Sequence, residues 1–282
     1  MRIGQAQFDL SRLIHYVGAY YVRGTMKILM AGDIVGSPGR RAFEAVIARK
    51  KADNDVDFVV VNAENSADGK GLTMKIADSL FRAGADVITL GDHAWNQRDF
   101  MKDIDQESRI VRPANFAPGH PGSGIVTVQS DWGPITVINL IGRVFLKPMD
   151  CPFRKADKLL RKDGLGKVIL VDFHAEATSE KVAMGHYLNG RVSAVVGTHT
   201  HVQTSDGYVL SKGTAYQTDL GMTGPRDSVI GCKKDAILQS FLTGLPVRFE
   251  VASDDVFVEG AIIDVDEATG RARSIQAFRE AL

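Results

Sequence analysis

Five apolar segments of the chain each end in side chains that can bind a metal ion or carry a proton. These side chains belong to Asp33, Glu64, Asn65, Asp92, His93, His174, His199 and His201. Taken alone, an acidic residue after a strand is more often a turn residue or a helix cap, and a lone histidine is more often packed in a core. Five such coincidences at successive segment ends favour a shared site. The pattern therefore predicts a metal centre.

The chemistry of these donors narrows the choice of metal. Carboxylates, an amide and imidazoles are present and thiolates are not, which favours manganese, iron or zinc over a structural cysteine–zinc site. The donors are too many for one tetrahedral ion, so they fit two ions that share a bridging carboxylate, as in two-metal phosphoryl transfer. His199 and His201 stand two residues apart, and on extended backbone both imidazoles would point the same way.

Alternating strands and helices position these donors. Short apolar runs predict strands at 27–31, 58–61, 87–90, 135–140, 168–173 and 193–197. Between them, helices are predicted at 40–52 after Pro38, at 73–83 before Gly84, and at 179–188 with Ser179 as the cap. Crossovers of this kind build a buried, largely parallel sheet, and ligands bind outside the carboxyl ends of its strands. We therefore expect the five segment ends to meet at one edge.

The C-terminal part follows a different pattern. Strands are predicted at 208–210, 214–218, 247–251 and 256–265, with one helix at 236–242. Few helices separate these strands, which predicts a second, partly antiparallel sheet packed on the first. No linker or repeat interrupts the pattern, so we predict an α/β fold in which residues 26–282 form one domain of two packed mixed sheets flanked by helices.

Residues 1–25 are set apart as an N-terminal extension outside the core. Their apolar stretch is interrupted by His15 and has no signal-peptide cleavage pattern, whereas a buried-strand pattern starts at Met26. Either Met26 is the natural start, or the extension is a real peripheral segment.

Composition excludes several classes of protein. Lys and Arg together number 34, as do Asp and Glu, so the formal net charge is zero and binding of long duplex nucleic acid through bulk charge is not expected. The two cysteines form no metal-binding spacing, which favours a reducing cytoplasm. No stretch approaches the length of an apolar transmembrane helix, so no membrane partner is expected.

The series Gly32-Asp33, Asn62-Ala63-Glu64-Asn65, Gly91-Asp92-His93-Ala94-Trp95, His174-Ala175-Glu176 and Gly197-Thr198-His199-Thr200-His201 resembles the calcineurin-like metallophosphoesterases. More narrowly, it is similar to the bacterial YmdB-like phosphodiesterases, and the similarity covers about residues 26–264. This resemblance implies the calcineurin-like α/β fold and hydrolysis of phosphodiesters, including 2′,3′-cyclic nucleotides. A small nucleotide is then the expected substrate, and the chain would act alone or as a homo-oligomer.

The resemblance also implies roles for individual residues. Asp33, Glu64, Asn65 and His201 would hold a first ion, and Glu64, Asp92, His174 and His199 a second, with Glu64 as the bridge. Iron or manganese is expected first, with zinc as the alternative. His93 would be the general acid, unless it only orients a ligand. Arg143 follows the strand at 135–140 and is a candidate phosphate contact, or else an ordinary solvated arginine.

Asp92 departs from the resemblance, because the family normally has asparagine there. The carboxylate adds a negative charge to the ligand set, which would weaken the Lewis acidity of the metal pair or favour a more highly charged pair. A phosphomonoesterase or nuclease using the same site is one alternative function. A weakly active regulatory metal-binding protein is the other, and Asp92 keeps it open.

Overall fold

The computed structural model describes residues 25–282, and residues 1–24 of the predicted extension lie outside it. The strands are β1 (Met26–Ala31), β2 (Asp33–Ile34), β3 (Phe58–Asn62), β4 (Val87–Thr89), β5 (Ile110–Val111), β6 (Ile125–Ser130), β7 (Gly133–Ile141), β8 (Val168–His174), β9 (Ala194–Thr198), β10 (Tyr208–Val209), β11 (Ala215–Gln217), β12 (Met222–Pro225), β13 (Val256–Asp266) and β14 (Arg271–Ala281). The helices are α1 (Gly36–Ala52), α2 (Met74–Ala83), α3 (Phe100–Asp103), α4 (Pro152–Leu159), α5 (Thr178–Leu188) and α6 (Lys234–Thr243).

Two mixed sheets form the centre of the molecule. The first runs in the order β2-β12-β13-β1-β3-β4-β5, with β14 on the far side of β13, and the second runs β10-β11-β9-β8-β7-β6. Strands β1, β3, β4 and β5 are parallel and run to one edge of the first sheet, and β7, β8 and β9 are parallel in the middle of the second. β13 pairs with β1 in antiparallel register. The predicted pair of packed mixed sheets is therefore present.

Alternating side chains of the strands fill three cores. Met26, Ile28 and Met30 of β1 face β8 and β9 of the second sheet and form the core between the sheets. Leu29 and Ala31 point the other way, onto α1 and α2. A third core packs the outer face of β7 to β9 against α4 and α5. The period of two along each strand thus produces four layers, helix–sheet–sheet–helix.

The second sheet is not built from the C-terminal strands as predicted. It consists mainly of β6 to β9, from the middle of the chain, and takes up only β10 and β11 from the C-terminal part. β12, β13 and β14 instead belong to the first sheet, because β13 pairs with β1 and carries β12 and β14 with it. Ala261, Ile263 and Val265 of β13 are buried in the core between the sheets.

Several predicted boundaries differ from the structure. α1 begins at Gly36, four positions before the predicted start. α5 begins at Thr178 after Ala177, and Ser179 lies inside the helix without capping it. The predicted strand at 247–251 is irregular apart from a bridge at Val251, and Pro246 before it cannot donate a backbone hydrogen bond. β6, β14 and α4 were not predicted.

Within residues 25–282, no helix is long and apolar enough to cross a membrane. The assignment of residues 26–282 to one domain stays a prediction.

Candidate metal centre

The predicted donors meet where the carboxyl edges of the two sheets come together. Asp33, Glu64 and Asp92 follow β1, β3 and β4 of the first sheet, whereas His174 ends β8 and His199 follows β9 of the second. Carboxylates therefore come from one sheet and imidazoles from the other. Because parallel strands deliver their carboxyl ends to one edge, donors that are far apart in sequence lie side by side.

Glu64, Asp92, His174 and His199 form the four-donor cluster, in which one ligand atom from each residue lies within 4.8 Å of all the others. His174 Nε2 lies 3.0 Å from Glu64 Oε1 and 3.3 Å from Asp92 Oδ1. His199 Nδ1 lies 3.0 Å from His174 Nε2 and 3.5 Å from Asp92 Oδ1. Four ligand atoms thus converge on one small volume, the arrangement that a transition metal requires.

Asp33, Asn65 and His201 form a second set, here called the Asp33 group. The Asn65 amide lies 3.1 Å from His201 Nε2, and His201 Nε2 lies 3.9 Å from Asp33 Oδ1. Asp33 Oδ1 also lies 3.9 Å from His174 Nδ1, so the group adjoins the four-donor cluster. It has three donors, one fewer than the cluster.

The electrostatics of both sets fit cations. Asp33 Oδ1 is buried and has no hydrogen-bond partner among the described residues, and burial raises the pKa of Asp33 to about 6. Burial would lower the pKa of His174, but Glu64 and Asp92 raise it well above the ordinary value. The imidazolium then supplies the positive charge that these carboxylates require. A divalent ion would replace that positive charge, and the unpaired Oδ1 of Asp33 could serve as one of its ligands.

Glycine at position 91 is required by the packing of the cluster. A Cβ atom there would lie 2.3 Å from His174 Nε2 and 2.5 Å from Glu64 Oε2. The turn that carries Asp92 and His93 can approach the buried donors this closely only without a side chain.

The two histidines of the His-x-His sequence have a different backbone conformation from the extended one that was predicted. β9 ends at Thr198, and His199 and His201 have positive φ values of 102° and 63°. The expectation of extended backbone was wrong, because the chain turns through left-handed conformations after the strand. His199 faces the four-donor cluster and His201 faces the Asp33 group. Non-glycine residues seldom adopt this conformation, which is found more often at functional sites.

Hydrogen bonds from outside the donor set orient the imidazoles. His174 Nδ1 lies 2.9 Å from Thr198 Oγ1, which donates to the buried Asp172 at 2.7 Å, so His174 Nε2 faces the other donors. His199 Nε2 lies 3.0 Å from Glu176, which leaves Nδ1 toward the cluster. Carboxylates behind imidazole ligands fix the tautomer in this way. Asp172 was not among the predicted site residues, and Glu176 was quoted only as part of a motif. The signal available in the sequence was that each of them stands two positions from His174.

His93 lies beside the donors and does not belong to either set. Its backbone N–H donates to Glu64 Oε2 at 2.8 Å, and its Nδ1 lies 3.0 Å from Asp92 Oδ2. The hydrogen bond to Asp92 raises the pKa of His93 against the effect of burial. Because Nδ1 is bound to Asp92, Nε2 is the ring atom free to exchange a proton.

Arg143 is exposed, and its backbone N–H donates to the carboxylate of Glu180 at 3.1 Å. It follows β7 at the edge of the second sheet that carries the site, but the structure does not bring its side chain into either donor set. Lys70 is a cation that was not predicted from the sequence, and its charge lowers the pKa of His93. It stands in a glycine-rich turn without a distinctive pattern, so the sequence offered no signal for it.

Two mixed sheets between helical layers, with carboxylates and imidazoles at their shared edge, define the calcineurin-like metallophosphoesterase class. Within this class the chain belongs to the YmdB-like protein family, whose model matches residues 29–278. The chain is 50% identical over 252 residues to the 2′,3′-cyclic-nucleotide 2′-phosphodiesterase of Bacillus subtilis, and the match covers 89% of this chain and 96% of that protein.

Two solved structures are similar to this chain over most of their length. A hypothetical protein from Thermus thermophilus is 40% identical with a TM-score of 0.86, and the match covers 91% of this chain and 99% of that one. A novel phosphatase from Mycoplasma pneumoniae is 34% identical with a TM-score of 0.86, and 91% and 94% are covered. These likenesses confirm the predicted fold and the predicted family.

Proposed function

We propose that this protein hydrolyses phosphodiester bonds in small nucleotides such as 2′,3′-cyclic nucleotides, using two metal ions. The observation that carries the proposal is the convergence of the four-donor cluster and the Asp33 group at one sheet edge, with His93 beside them. The 50% identity to a 2′,3′-cyclic-nucleotide 2′-phosphodiesterase supports a diester as the substrate.

The donors suggest how the ions would be held. Glu64, Asp92, His174 and His199 would bind one ion and Asp33, Asn65 and His201 the other, with Glu64 shared between them. Oxygen and nitrogen donors without thiolate favour iron or manganese, with zinc as the alternative. When bound, the ions would lower the pKa of water and neutralise charge on the phosphoryl oxygens.

His93 would act as the general acid. Water gives one proton to the solvent and forms a new oxygen–phosphorus bond, while the bond from phosphorus to the leaving nucleoside oxygen breaks. That oxygen must gain a proton, which His93 Nε2 can donate because Asp92 holds Nδ1 and raises the pKa of the imidazole. The buried Glu64 fixes the backbone of His93 and thereby the position of its ring.

Replacement of His93 tests this role. His93→Ala should reduce the rate by about 10²–10⁴-fold on a diester with a poor alkoxide leaving group, because that oxygen needs a proton. The loss should be smaller on a nitrophenyl diester, whose leaving group departs as an anion. Metal content, measured by elemental mass spectrometry, should stay as in the unmodified protein. Equal losses on both substrates would show that His93 only orients its neighbours.

Metal-dependent turnover tests the function itself. The protein, purified without chelator and assayed with added manganese, iron or zinc, should hydrolyse a chromogenic diester faster than the matching monoester. A preference for the monoester would favour the phosphomonoesterase alternative. Absence of turnover with every metal would favour the regulatory alternative that Asp92 keeps open.

The remaining predictions concern location and assembly. The unpaired cysteines Cys151 and Cys232 support a reducing, cytoplasmic location. A homo-oligomer stays a prediction, which the mass in solution by light scattering tests. Arg143 as a phosphate contact also stays a prediction, since it rests on its place after β7 alone.

A further inference from the structure

A cavity of about 290 Å³ lies next to the Asp33 group, and His201 is part of its wall. The imidazole of His201 has one nitrogen on each side. Nε2 faces Asn65, and Nδ1 donates to the carbonyl of Ile230 at 2.9 Å. Because Ile230 also lines the cavity, His201 contacts both the Asp33 group and the wall of the cavity.

The cavity carries one unmatched positive charge. Arg279 and Glu259 lie in its wall as an ion pair, with Nε 2.7 Å from Oε1, so their charges cancel. Arg226 also lines it, and its guanidinium lies 5.6 Å from the centre of the Phe257 ring. Among residues 25–282, the Arg226 side chain forms no ion pair or hydrogen bond. Its five donors are therefore free for a ligand.

The remaining wall mixes polar and apolar groups. Gln203 and Ser228 line it together with Met222, Phe257 and Val202, whose side chain is exposed. Apolar side chains combined with a few placed polar groups are typical of small-molecule sites. Such a wall fits a sugar, which has both hydroxyls and apolar carbon faces, and the guanidinium of Arg226 fits an anion beside it.

We propose that this cavity is a subsite for a second phosphate of the substrate, on the other side of the ribose from the phosphodiester that is cleaved. Arg226 is the residue that selects it, because a guanidinium binds phosphate through two parallel hydrogen bonds. The preferred substrates are then 2′,3′-cyclic nucleotides that carry a 5′-phosphate, including the ends of short oligonucleotides. This inference rests on the proposed function, since it requires a phosphodiester at the metal centre.

A pair of substrates tests the inference on the metal-loaded full chain. One is a 2′,3′-cyclic nucleoside monophosphate, and the other is the same compound with an added 5′-phosphate. For the unmodified protein, kcat/KM should be higher by about tenfold or more for the doubly phosphorylated compound, as expected for a charge-assisted hydrogen bond. Added salt should reduce this ratio.

Variants assign the preference to one residue. Arg226→Ala should bring the ratio of the two kcat/KM values close to one, whereas Arg226→Lys should keep part of it because a charge remains. The matched control is Arg82→Ala, an exposed arginine in the last turn of α2 at the opposite edge of the sheet, which should leave the ratio unchanged.

The outcomes separate the subsite from the proposed function. Hydrolysis of both compounds with equal kcat/KM would overturn the subsite and leave the phosphodiesterase intact. An unchanged ratio in Arg226→Ala would also overturn it, as the preference would then arise elsewhere. If the protein hydrolysed neither of the two compounds and no other diester, the proposed function would be overturned, and the inference with it.

Discussion

The two sets of donors at the candidate metal centre differ in how firmly they are assembled. The four-donor cluster draws on two strands of each sheet, and neighbouring donor atoms lie 3.0–3.5 Å apart. In the Asp33 group, His201 lies 3.9 Å from Asp33 and stands on a left-handed turn three residues beyond β9. The cluster thus offers four donors, three of them charged or imidazole groups next to the buried His174, whereas the Asp33 group offers three donors, one of which is a neutral amide. We expect the cluster to bind its ion more strongly.

The largest effect should come from Gly91→Ala. The added Cβ would displace both His174 and Glu64, so the cluster and the shared carboxylate would be disturbed together. We expect the variant to lose bound metal and diesterase activity. Loss of an outer hydrogen-bond partner of a metal ligand reduces activity about 10–100-fold, and the loss here should be larger. Elemental analysis and initial rates on the same sample measure both.

The control for that variant is Gly207→Ala, where a new Cβ meets only ordinary van der Waals contacts. It should keep its metal and its rate. Thermal unfolding of both variants separates a damaged site from an unfolded chain. Full metal content in Gly91→Ala would contradict the packing argument.

The next largest effect should distinguish the two sets directly. His201→Ala should release about one ion per chain and leave the cluster filled, because the cluster does not use that imidazole. His199→Ala should weaken the cluster instead. The metal content that each variant keeps after dialysis against increasing chelator concentrations measures which ion is lost. If His201→Ala lost the more tightly held ion, the Asp33 group and not the cluster would be the stronger site.

A smaller effect should be a difference in the number of protons that the two sets of donors release when metal binds. His174 has a pKa raised well above its usual value by Glu64 and Asp92, so filling the cluster near neutral pH should release its proton. Asp33 has its pKa raised to about 6 by burial, so binding at the Asp33 group should release a proton only below about that pH. There, its affinity should fall by about tenfold per pH unit as the pH is lowered.

Titration calorimetry in buffers with different heats of protonation counts these protons. At neutral pH the phase that fills the cluster should depend on the buffer more strongly than the other phase. Two buffer-independent phases would show that His174 is neutral before the ion arrives.

The smallest effect should come from Asp92→Asn. Asp92 accepts from His93 and raises its pKa, and the acid must be protonated to act. The amide should lower that pKa, so the decline in rate at high pH should begin at a lower pH. The removed charge should also strengthen the Lewis acidity of the ions. A pH–rate profile and metal content that both stay unchanged would exclude a role for the charge.

The sequence predicted the site better than the sheets, for a physical reason. Each donor follows a short apolar run, and the rule that parallel strands share a carboxyl edge places those donors together without knowledge of the strand order. Strand pairing depends on long-range packing, which a single sequence does not display. The sequence alone therefore could not predict that β12, β13 and β14 belong to the first sheet.

Irregular backbone was the other limit. The turn through His199 and His201 has no glycine and gives no sign of positive φ. Likewise, the free guanidinium of Arg226 becomes visible only when its neighbours are in place. Local propensity describes what a segment prefers, whereas these features arise because the surrounding structure imposes a conformation.

The placement of donors on two sheets has a consequence for how the chain folds. Asp33 and His201 lie at opposite ends of a long stretch of sequence that contains β2 to β9 and contributes to both sheets. Contacts of such long sequence separation are slow to form, since the loop entropy must be overcome before they contribute. We therefore expect the metal centre to be completed late in folding, so that a nascent or partly folded chain has no competent site with which to capture an ion or cleave a nucleotide.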